Sequence, residues 1–306
     1  MNSNLNIQNI QMFCRVVEEE SFSKAAKSCY VSQPAVTKQI QLLEENFGTT
    51  LIDRNQGAIY LTDAGKELYK YSKEIIAMCK QTEKAVKQTI SAYQTTIDIG
   101  ASFTIGEYLL PGILGSYQKE NENIRFSLSI GNTPSVITKL EQNEIDVAFV
   151  EGVIGNKDFY QEKIAEDDLI VVTPKGHKWN IKGEITIEEL AKEKIIWREK
   201  NAGARKIIEN FLQDYDILDK ISSTMELGST QAIKSAVEAE LGVAILPRLS
   251  VIKELEQGVL NKINIPALEM KRELCMVKRI SRFSNENIER LIDFVRTHMR
   301  SLLMII

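Results

Sequence analysis

The chain of 306 residues has few of the residue types that catalysis and metal binding usually need. It contains only two histidines, His177 and His298, and its four widely spaced cysteines form no CxxC pair. These counts argue against a zinc site and against histidine-based catalysis, and scattered thiols are typical of a reducing cytoplasm. We therefore predict a cytoplasmic protein with no metal and no cofactor.

Long hydrophobic runs are also missing, and none approaches the roughly 20 residues that would cross a bilayer. Residues 1–11 are polar and lack the apolar core of an export signal. Neither a glycine-rich phosphate loop nor a nucleophile elbow is present, so we predict that the chain is not an enzyme. The net charge of −4 does not indicate a nucleic-acid binder, and evidence for one must be local.

Residues 1–62 carry the pattern of three helices followed by a hairpin. Apolar residues at helical spacing predict a first helix over Ile7–Glu19, and Ser23 is the expected cap of a second, Lys24–Cys29. Ser32 as N-cap and Pro34 in the first turn predict a third helix over Gln33–Phe47. Two extended runs around residues 55–57 complete a winged helix-turn-helix.

The third helix has one apolar face and one polar face. Four apolar residues share the first face, namely Val36, Ile40, Leu43 and Phe47. The polar face carries Thr37, Lys38 and Gln41, and a recognition helix presents such side chains to the major groove. Simple solvation of this face is the alternative.

The run "SFSKAAKSCYVSQPAVTKQIQLLEENFGTTLIDRN", followed by "LTDAG", resembles the N-terminal domain of LysR-type transcriptional regulators. The resemblance extends to "GVAILP" and covers nearly the whole chain. It implies DNA contacts, in grooves or to phosphates, by these residues: Ser32, Gln33, Pro34, Thr37, Lys38, Gln41 and Arg54. The family often has Arg where this chain has Lys38, and Lys lacks the fork needed for bidentate guanine contacts.

Residues 63–92 are predicted to form a long linker helix. Apolar residues alternate in steps of three and four from Leu61 through Tyr71 and Met78 towards Thr89, which is typical of a coiled-coil seam between two subunits. A solitary amphipathic helix packed on its own domain is the alternative. The charges of residues 1–62 sum to −1, so a lone monomer should bind DNA weakly and a dimer gripping two half-sites is expected.

From residue 93 onward, strand and helix patterns alternate, which predicts an α/β domain with a largely parallel sheet. The length of this region, residues 93–306, favours two lobes with a cleft. The family resemblance implies a periplasmic-binding-protein-like effector domain. Its lobe I would take about residues 93–164 plus 268–306, and its lobe II about residues 165–267.

Several polar residues stand where predicted strands run into helices, and helix N-termini facing across a cleft would hold a small anion. The candidate effector-binding residues are Ser102, Thr104, Asn132, Thr133, Arg198, Ala202, Glu226 and Ser229. The resemblance supports Ser102 and Thr104, whereas one subfamily has hydroxyl residues where this chain has Ala202 and Ala204. Helix capping is the alternative role of the hydroxyl residues. Arg198 and Arg205 bind a carboxylate ligand or pair with Glu199 and Glu209.

The resemblance implies a homo-oligomeric transcriptional regulator, a dimer or a tetramer, controlled by a small anionic effector. Its expected partners are double-stranded promoter DNA, the effector, further copies of itself and RNA polymerase, with no membrane. A solute-binding protein and a DNA-free scaffold are the rival functions; the polar N-terminus and the attached helix-turn-helix argue against the first. Salt-dependent binding to a dyad-containing duplex separates the regulator from both.

Overall fold

The computed structural model describes residues 5–55, 58–88, 95–152, 154–200, 202–266, 269–280 and 285–305. The chain divides into two compact units, residues 1–93 and 94–306, which are described separately. None of the helices within the described ranges combines the length and the apolar character that crossing a bilayer requires.

The first unit consists of three short helices, a two-stranded antiparallel hairpin and a long helix. In chain order these are α1 (Ile7–Glu19), α2 (Phe22–Ser28), α3 (Gln33–Phe47), β1 (Ile52–Asn55), β2 (Ala58–Leu61) and α4 (Asp63–Gln88). The bounds predicted for α1 and α3 are confirmed. The cap predicted for α2 is wrong, because Ser21, rather than Ser23, accepts the hydrogen bond from the amide of Lys24.

Local hydrogen bonds and core packing fix both ends of α3. The Ser32 hydroxyl accepts from the amide of Ala35, and Gly48 ends the helix with a φ of 64°. Val36 and Ile40 are fully buried against α1 and α2. Phe47 is predicted on this buried face, but it is the last residue of α3 and is 47% exposed.

The turn between the hairpin and α4 depends on a close backbone contact at Gly65. A Cβ atom at this position would lie 2.1 Å from the carbonyl oxygen of Leu51, so only glycine fits. The hydroxyl of Thr62 donates to the carbonyl of Thr50 and accepts from the amide of Gly65. The "LTDAG" motif is therefore the joint that fixes α4 to the hairpin.

The predicted seam of α4 divides into a covered part and an uncovered part. Leu68 packs on the core beneath α1, whereas Tyr71 and Met78 are 55% and 46% exposed. Thr89 lies outside the described residues. The helix therefore packs on its own unit and also presents apolar side chains outward, so pairing with a second copy stays a prediction.

The second unit has nine strands and eight α-helices within the described ranges. The first half contains β3 (Thr95–Ser102), a π-helical turn (Ile105–Leu109), α5 (Leu110–Glu120), β4 (Ile124–Gly131), α6 (Thr133–Glu141), β5 (Val147–Glu151) and β6 (Phe159–Pro174). Next come α7 (Trp179–Lys182), α8 (Ile187–Ala191), β7 (Lys194–Arg198), α9 (Gly203–Asp214), a 3-10 turn (Leu218–Lys220), β8 (Ser222–Leu227) and α10 (Thr230–Glu238). The last elements are β9 (Ala244–Pro247), α11 (Arg248–Glu256), β10 (Leu260–Ile263), β11 (Met270–Arg279) and α12 (Glu286–Ile305).

The main sheet is mixed, which corrects the prediction of a largely parallel one. Its order is β10-β6-β11-β5-β3-β4, and β9 also pairs with β6. The strands β3, β4 and β5 are parallel, but β6 and β11 pair antiparallel with each other and with their other neighbours. A parallel pair, β7 and β8, is joined to β9 through a bridge between Ile195 and Val243.

Two lobes are built around the long strands β6 and β11. Lobe I packs α5 and α12 on one face of the sheet around Ile99, Phe149 and Leu291, and α6 on the other. Lobe II is built around Leu169, Trp197 and Ile245, with α8 and α9 on one side and α10 and α11 on the other. The predicted α/β architecture with two effector-domain lobes is confirmed.

Candidate functional site

The N-terminal half of α3 presents a polar surface. Of the residues predicted to contact DNA, Ser32, Gln33, Pro34, Lys38 and Gln41 are exposed. Thr37 is half-buried at the edge of this surface. Because Val36 and Ile40 are anchored in the core, the helix cannot rotate to hide this surface. The backbone of Arg54 lies in β1, and its side chain lies outside the part of the chain that the structure describes.

A hydrogen bond across the turn orients one of the predicted contact residues. The hydroxyl of Ser23 on α2 donates to Oε1 of Gln33 at 2.8 Å. This bond leaves the amide nitrogen of Gln33 available as a donor and restrains the side chain at the start of α3. Ser23 was predicted only as a cap, since its ten-residue separation from Gln33 gives no periodic signal in the sequence.

Two of the acidic residues that make residues 1–62 slightly negative are engaged in internal contacts. Glu18 pairs with Lys73 at 3.0 Å, and the carboxylate of Glu44 accepts from the amides of Leu51 and Ile52. Within the described residues, Lys38 forms no ion pair. The negative charge is therefore partly neutralised inside the unit, while the basic side chain on α3 remains available to a phosphate.

The second unit contains a cleft where strand ends of both lobes meet helix N-termini. Ser102, Gly131 and Glu151 end the neighbouring strands β3, β4 and β5. The cleft has about 620 Å³ of empty space, its open mouth included. Six of the predicted residues line it: Ser102, Thr104, Asn132, Thr133, Arg198 and Ala202. It therefore lies where open α/β sheets bind ligands.

The Ser102 hydroxyl is the polar group most in need of a partner here. Its residue is only 1% exposed, and no described residue forms a hydrogen bond with its Oγ. A buried hydroxyl without a partner is destabilising by about 1–3 kcal/mol. Because Ser102 lines the cleft, a polar ligand atom would satisfy it. The neighbouring Thr104 is also buried and precedes the π-helical turn, a feature often found at functional sites.

Four helix N-termini border the cleft, at Thr104, Thr133, Gly203 and Thr230. Asn132 caps α6 by accepting from the amide of Ser135 at 2.9 Å. In contrast, Ala202 has no hydroxyl, and no side chain caps α9. The start of α9 therefore lacks the side-chain cap that α6 has.

The arginines predicted for the cleft are engaged in ion pairs. Arg198 donates twice to Glu199, at 2.8 Å, and once to Thr230, at 2.9 Å. Burial alone would raise the pKa of Glu199, but the hydrogen bonds from Arg198 hold it below its ordinary value. The guanidinium of Arg198 also lies 5.4 Å from the ring centre of Phe103, so it bridges lobe II to lobe I.

Arg205 is held in the same way, by Glu209 at 2.6 Å and Glu226 at 2.7 Å. Of the two alternatives left open by the sequence, ion pairing is therefore the one observed. Glu226 and Ser229, predicted as effector contacts, do not line the cleft. Glu226 instead holds Arg205, and Ser229 caps α10 by accepting from the amide of Ala232.

The floor of the cleft contains a buried ion cluster that sequence reasoning missed. Arg272 on β11 donates to Asp167 at 2.6 and 3.0 Å and to Glu151 at 3.1 Å. Burial raises the pKa of Asp167, and the guanidinium of Arg272 opposes that rise. The three residues come from three different strands, so the sheet pairing, which the sequence pattern does not show, brings them together. Across the described residues, no group of His, Cys, Asp and Glu is arranged to hold a metal ion.

Comparisons with known proteins agree on one family. The model for the LysR substrate binding domain matches residues 91–300, and the model described as "Bacterial regulatory helix-turn-helix protein, lysR family" matches residues 7–66. A probable RuBisCO transcriptional regulator of Cyanidioschyzon merolae is 32% identical over 284 residues, covering 92% of this chain and 94% of the relative.

Solved structures show the same fold at lower identity. Full-length CbnR complexed with its target DNA has a TM-score of 0.65 at 18% identity, covering 96% of this chain and 99% of that one. The Synechocystis PCC6803 CcmR regulatory domain in complex with 2-PG has a TM-score of 0.62 at 22% identity. That match covers 67% of this chain and 97% of the CcmR domain.

Proposed function

Because this chain belongs to the LysR family of DNA-binding transcriptional regulators, we propose that its α3 surface reads promoter DNA while its cleft binds a small anionic metabolite. Members of this family are regulators rather than enzymes, which agrees with the prediction from the sequence. They bind promoter DNA and small effectors and they form oligomers.

The exposed polar surface of α3 carries the proposal. Gln33 and Gln41 have the amide groups that pair with adenine, Thr37 has a methyl and a hydroxyl, and Lys38 suits a phosphate or a guanine edge. Ser32 and Pro34 are proposed to bring the start of α3 close to the phosphate backbone of the DNA. Arg54 in the hairpin is proposed to enter the minor groove. Placing the start of the recognition helix in the major groove matches the arrangement of other helix-turn-helix proteins.

Dimerisation is proposed to supply the affinity that one unit lacks. The outward side chains Tyr71 and Met78 on α4 would pair with the same helix of a second copy. Two linked units convert the second half-site contact into an intramolecular event, which raises the overall affinity without any new contact. The expected binding site is therefore a duplex with dyad symmetry.

For the effector, the proposal depends on the buried hydroxyl of Ser102. An anionic group in the cleft would accept from Ser102 and Thr104 and from the amides at the starts of α6 and α9. Asn132, Thr133, Arg198 and Ala202 complete the proposed contacts. Effector binding would favour one arrangement of the two lobes over the others. That shift in the population of lobe arrangements would alter the complex with promoter DNA and its contacts with RNA polymerase in the cytoplasm.

The DNA-binding proposal is tested with duplexes selected from a random library by the full chain. We expect them to carry a dyad and their affinity to fall steeply with salt. Thr37→Ala and Arg54→Ala should abolish specific binding while circular dichroism and the oligomeric state stay unchanged. Lys253→Ala, which removes an exposed charge from α11, is the control and should bind as the parent does. Undiminished binding by both test variants would contradict the assignment of α3 and the hairpin.

The effector proposal is tested by a thermal-shift screen of metabolites against the full chain, since a ligand that binds the folded state raises the melting temperature. Anions should dominate the positive results. Ser102→Ala should remove the shift that each of them causes. A screen in which only compounds without an anionic group stabilise the chain would rule out the proposed anion site.

A further inference from the structure

We infer that the effector is a small molecule with one anionic group and a hydrogen-bond donor, either a hydroxyl or an ammonium group, and that Glu151 recognises this donor. The inference rests on the anion site proposed above and adds a second recognition point to it.

Glu151 lies beside the proposed anion site. It ends β5, and the pairing of β5 with β3 places Phe149 next to Ala101, so Glu151 and Ser102 end adjacent parallel strands. Both residues line the cleft. Side chains at adjacent strand ends are within reach of a single small molecule, so a ligand held by Ser102 would present its other end to Glu151.

The carboxylate of Glu151 is fixed in place but has acceptor capacity to spare. Its Oε1 accepts from Nη1 of Arg272 at 3.1 Å, and its side chain is 9% exposed. The two bonds from Arg272 to Asp167 hold the guanidinium and thereby hold Glu151. No other described residue donates a hydrogen bond to this carboxylate. A nearly buried carboxylate with an open oxygen favours a ligand that brings a donor.

The charges around the cleft point to the same ligand class. Its three lining arginines, Arg198, Arg205 and Arg272, are all paired with carboxylates. The paired carboxylates are Glu151, Asp167, Glu199, Glu209 and Glu226. The five carboxylates outnumber the three arginines, so the charged side chains together give no positive potential. The positive potential that attracts an anion therefore comes from the helix N-termini, each equivalent to about half a charge. Such a site suits one negative charge better than two.

An anion without a donor would be held less tightly. Its acid group would bind the amides and Ser102, but its other end would exclude water from Glu151 without replacing the lost hydrogen bond. The alternative role for Glu151 is purely structural, as a partner that neutralises Arg272. That alternative predicts no discrimination between ligands with and without a donor.

The test uses the full-length protein and three carboxylates that share a three-carbon skeleton: propionate and 3-hydroxypropionate, which are monoanions, and β-alanine, which is a zwitterion at neutral pH. Isothermal titration and thermal shift give the affinity for each. Because a hydrogen bond to a charged group is strong, we expect 3-hydroxypropionate or β-alanine to bind about tenfold tighter than propionate. The hydroxyl and ammonium probes show which donor the site prefers.

Variants separate a recognition role from a structural one. Glu151→Gln keeps a carbonyl acceptor for Arg272, and it should reduce the preference for the donor-bearing probe to about twofold or less. Glu144→Gln changes an exposed carboxylate in lobe I and should leave the preference unchanged. The parent chain's preference is informative even if Glu151→Gln does not fold.

The outcomes distinguish this inference from the proposed function. Equal binding of all three probes, lost in Ser102→Ala, would overturn the role of Glu151 while supporting the anion site. A donor preference that persists in a folded Glu151→Gln would also overturn that role. Binding unaffected by Ser102→Ala, or no binding by any of the three probes, would overturn both the anion site and the donor recognition built on it.

Discussion

The candidate contact residues are exposed in one unit and buried in the other. In the DNA-binding unit, Gln33 and Lys38 are exposed on a helix whose other face is buried. In the effector unit, Ser102 and Arg272 are 1% and 3% exposed. A DNA duplex is too large to be enclosed and must be met at a surface, whereas a small ligand binds best where water is excluded. Substitutions should therefore separate binding from stability in the first unit but couple them in the second.

The largest effect is expected when the buried ion cluster of the effector unit is broken. Arg272→Met leaves Asp167 and Glu151 without their partner, which should lower the free energy of unfolding by about 3–5 kcal/mol. Urea unfolding of the full chain measures the loss. The control is Arg290→Met, which removes an exposed pair with Glu286 and should cost about 1 kcal/mol or less. Equal losses of unfolding free energy in the two variants would mean that the burial of an ion pair does not decide its contribution to stability here.

Removing the unpartnered hydroxyl of Ser102 should have the opposite sign. Ser102→Ala relieves a buried group without a hydrogen bond, so the unliganded chain should become more stable by about 1–3 kcal/mol. Ser250→Ala is the matched control, because this equally buried hydroxyl donates to the carbonyl of Pro247 at 2.7 Å. That variant should lose about 1 kcal/mol. A destabilised Ser102→Ala would show that its hydroxyl is satisfied in the unliganded protein.

Two helix caps compare the units directly. Ser32→Ala and Ser229→Ala each remove a side chain that accepts a backbone amide, at a cost of about 1 kcal/mol in unfolding free energy. Only Ser32→Ala should also weaken DNA binding, measured by gel shift, because Ser32 lies on the exposed surface of α3. If ligands no longer raise the melting temperature of Ser229→Ala, then Ser229 belongs to the effector site.

The contact between α2 and α3 gives a smaller effect on binding alone. Ser23→Ala frees the side chain of Gln33, and we expect a loss of about threefold to tenfold in specific DNA affinity with little change in stability. Ser28→Ala is the control, since its hydroxyl donates to Glu19 rather than to a residue of α3. Similar losses in both variants would show that orientation of Gln33 is not the cause.

An effect that appears only at high pH comes from a buried thiol of the DNA-binding unit. Burial, with a further contribution from Glu18, raises the pKa of Cys14 to about 11 from an ordinary value of 9.0. Since the folded state holds this proton more tightly, the stability it contributes is complete below pH 9 and is lost as the pH rises towards 11. Cys14→Ala should flatten that part of the stability profile, measured by urea unfolding as the pH is raised.

Much of the fold could be predicted where a signal lies within one element. The bounds of α1 and α3 follow from periodicity and capping residues. The first half of β6 gives no such signal, because its charged residues interrupt the apolar run that is typical of a buried strand. Its pairing with β11, not its own composition, makes it a strand.

The sequence by itself determined the helix-turn-helix, the two faces of α3 and the family, because these depend on residues a few positions apart. It also placed Ser102, Thr104, Asn132 and Thr133 at strand-to-helix junctions. Only the tertiary structure decided which charges meet. Arg272, Asp167 and Glu151 lie far apart in the chain and become one cluster through strand pairing. The physical reason is that capping and amphipathicity act over one helical turn, whereas electrostatic partners are chosen by the packing of the whole sheet.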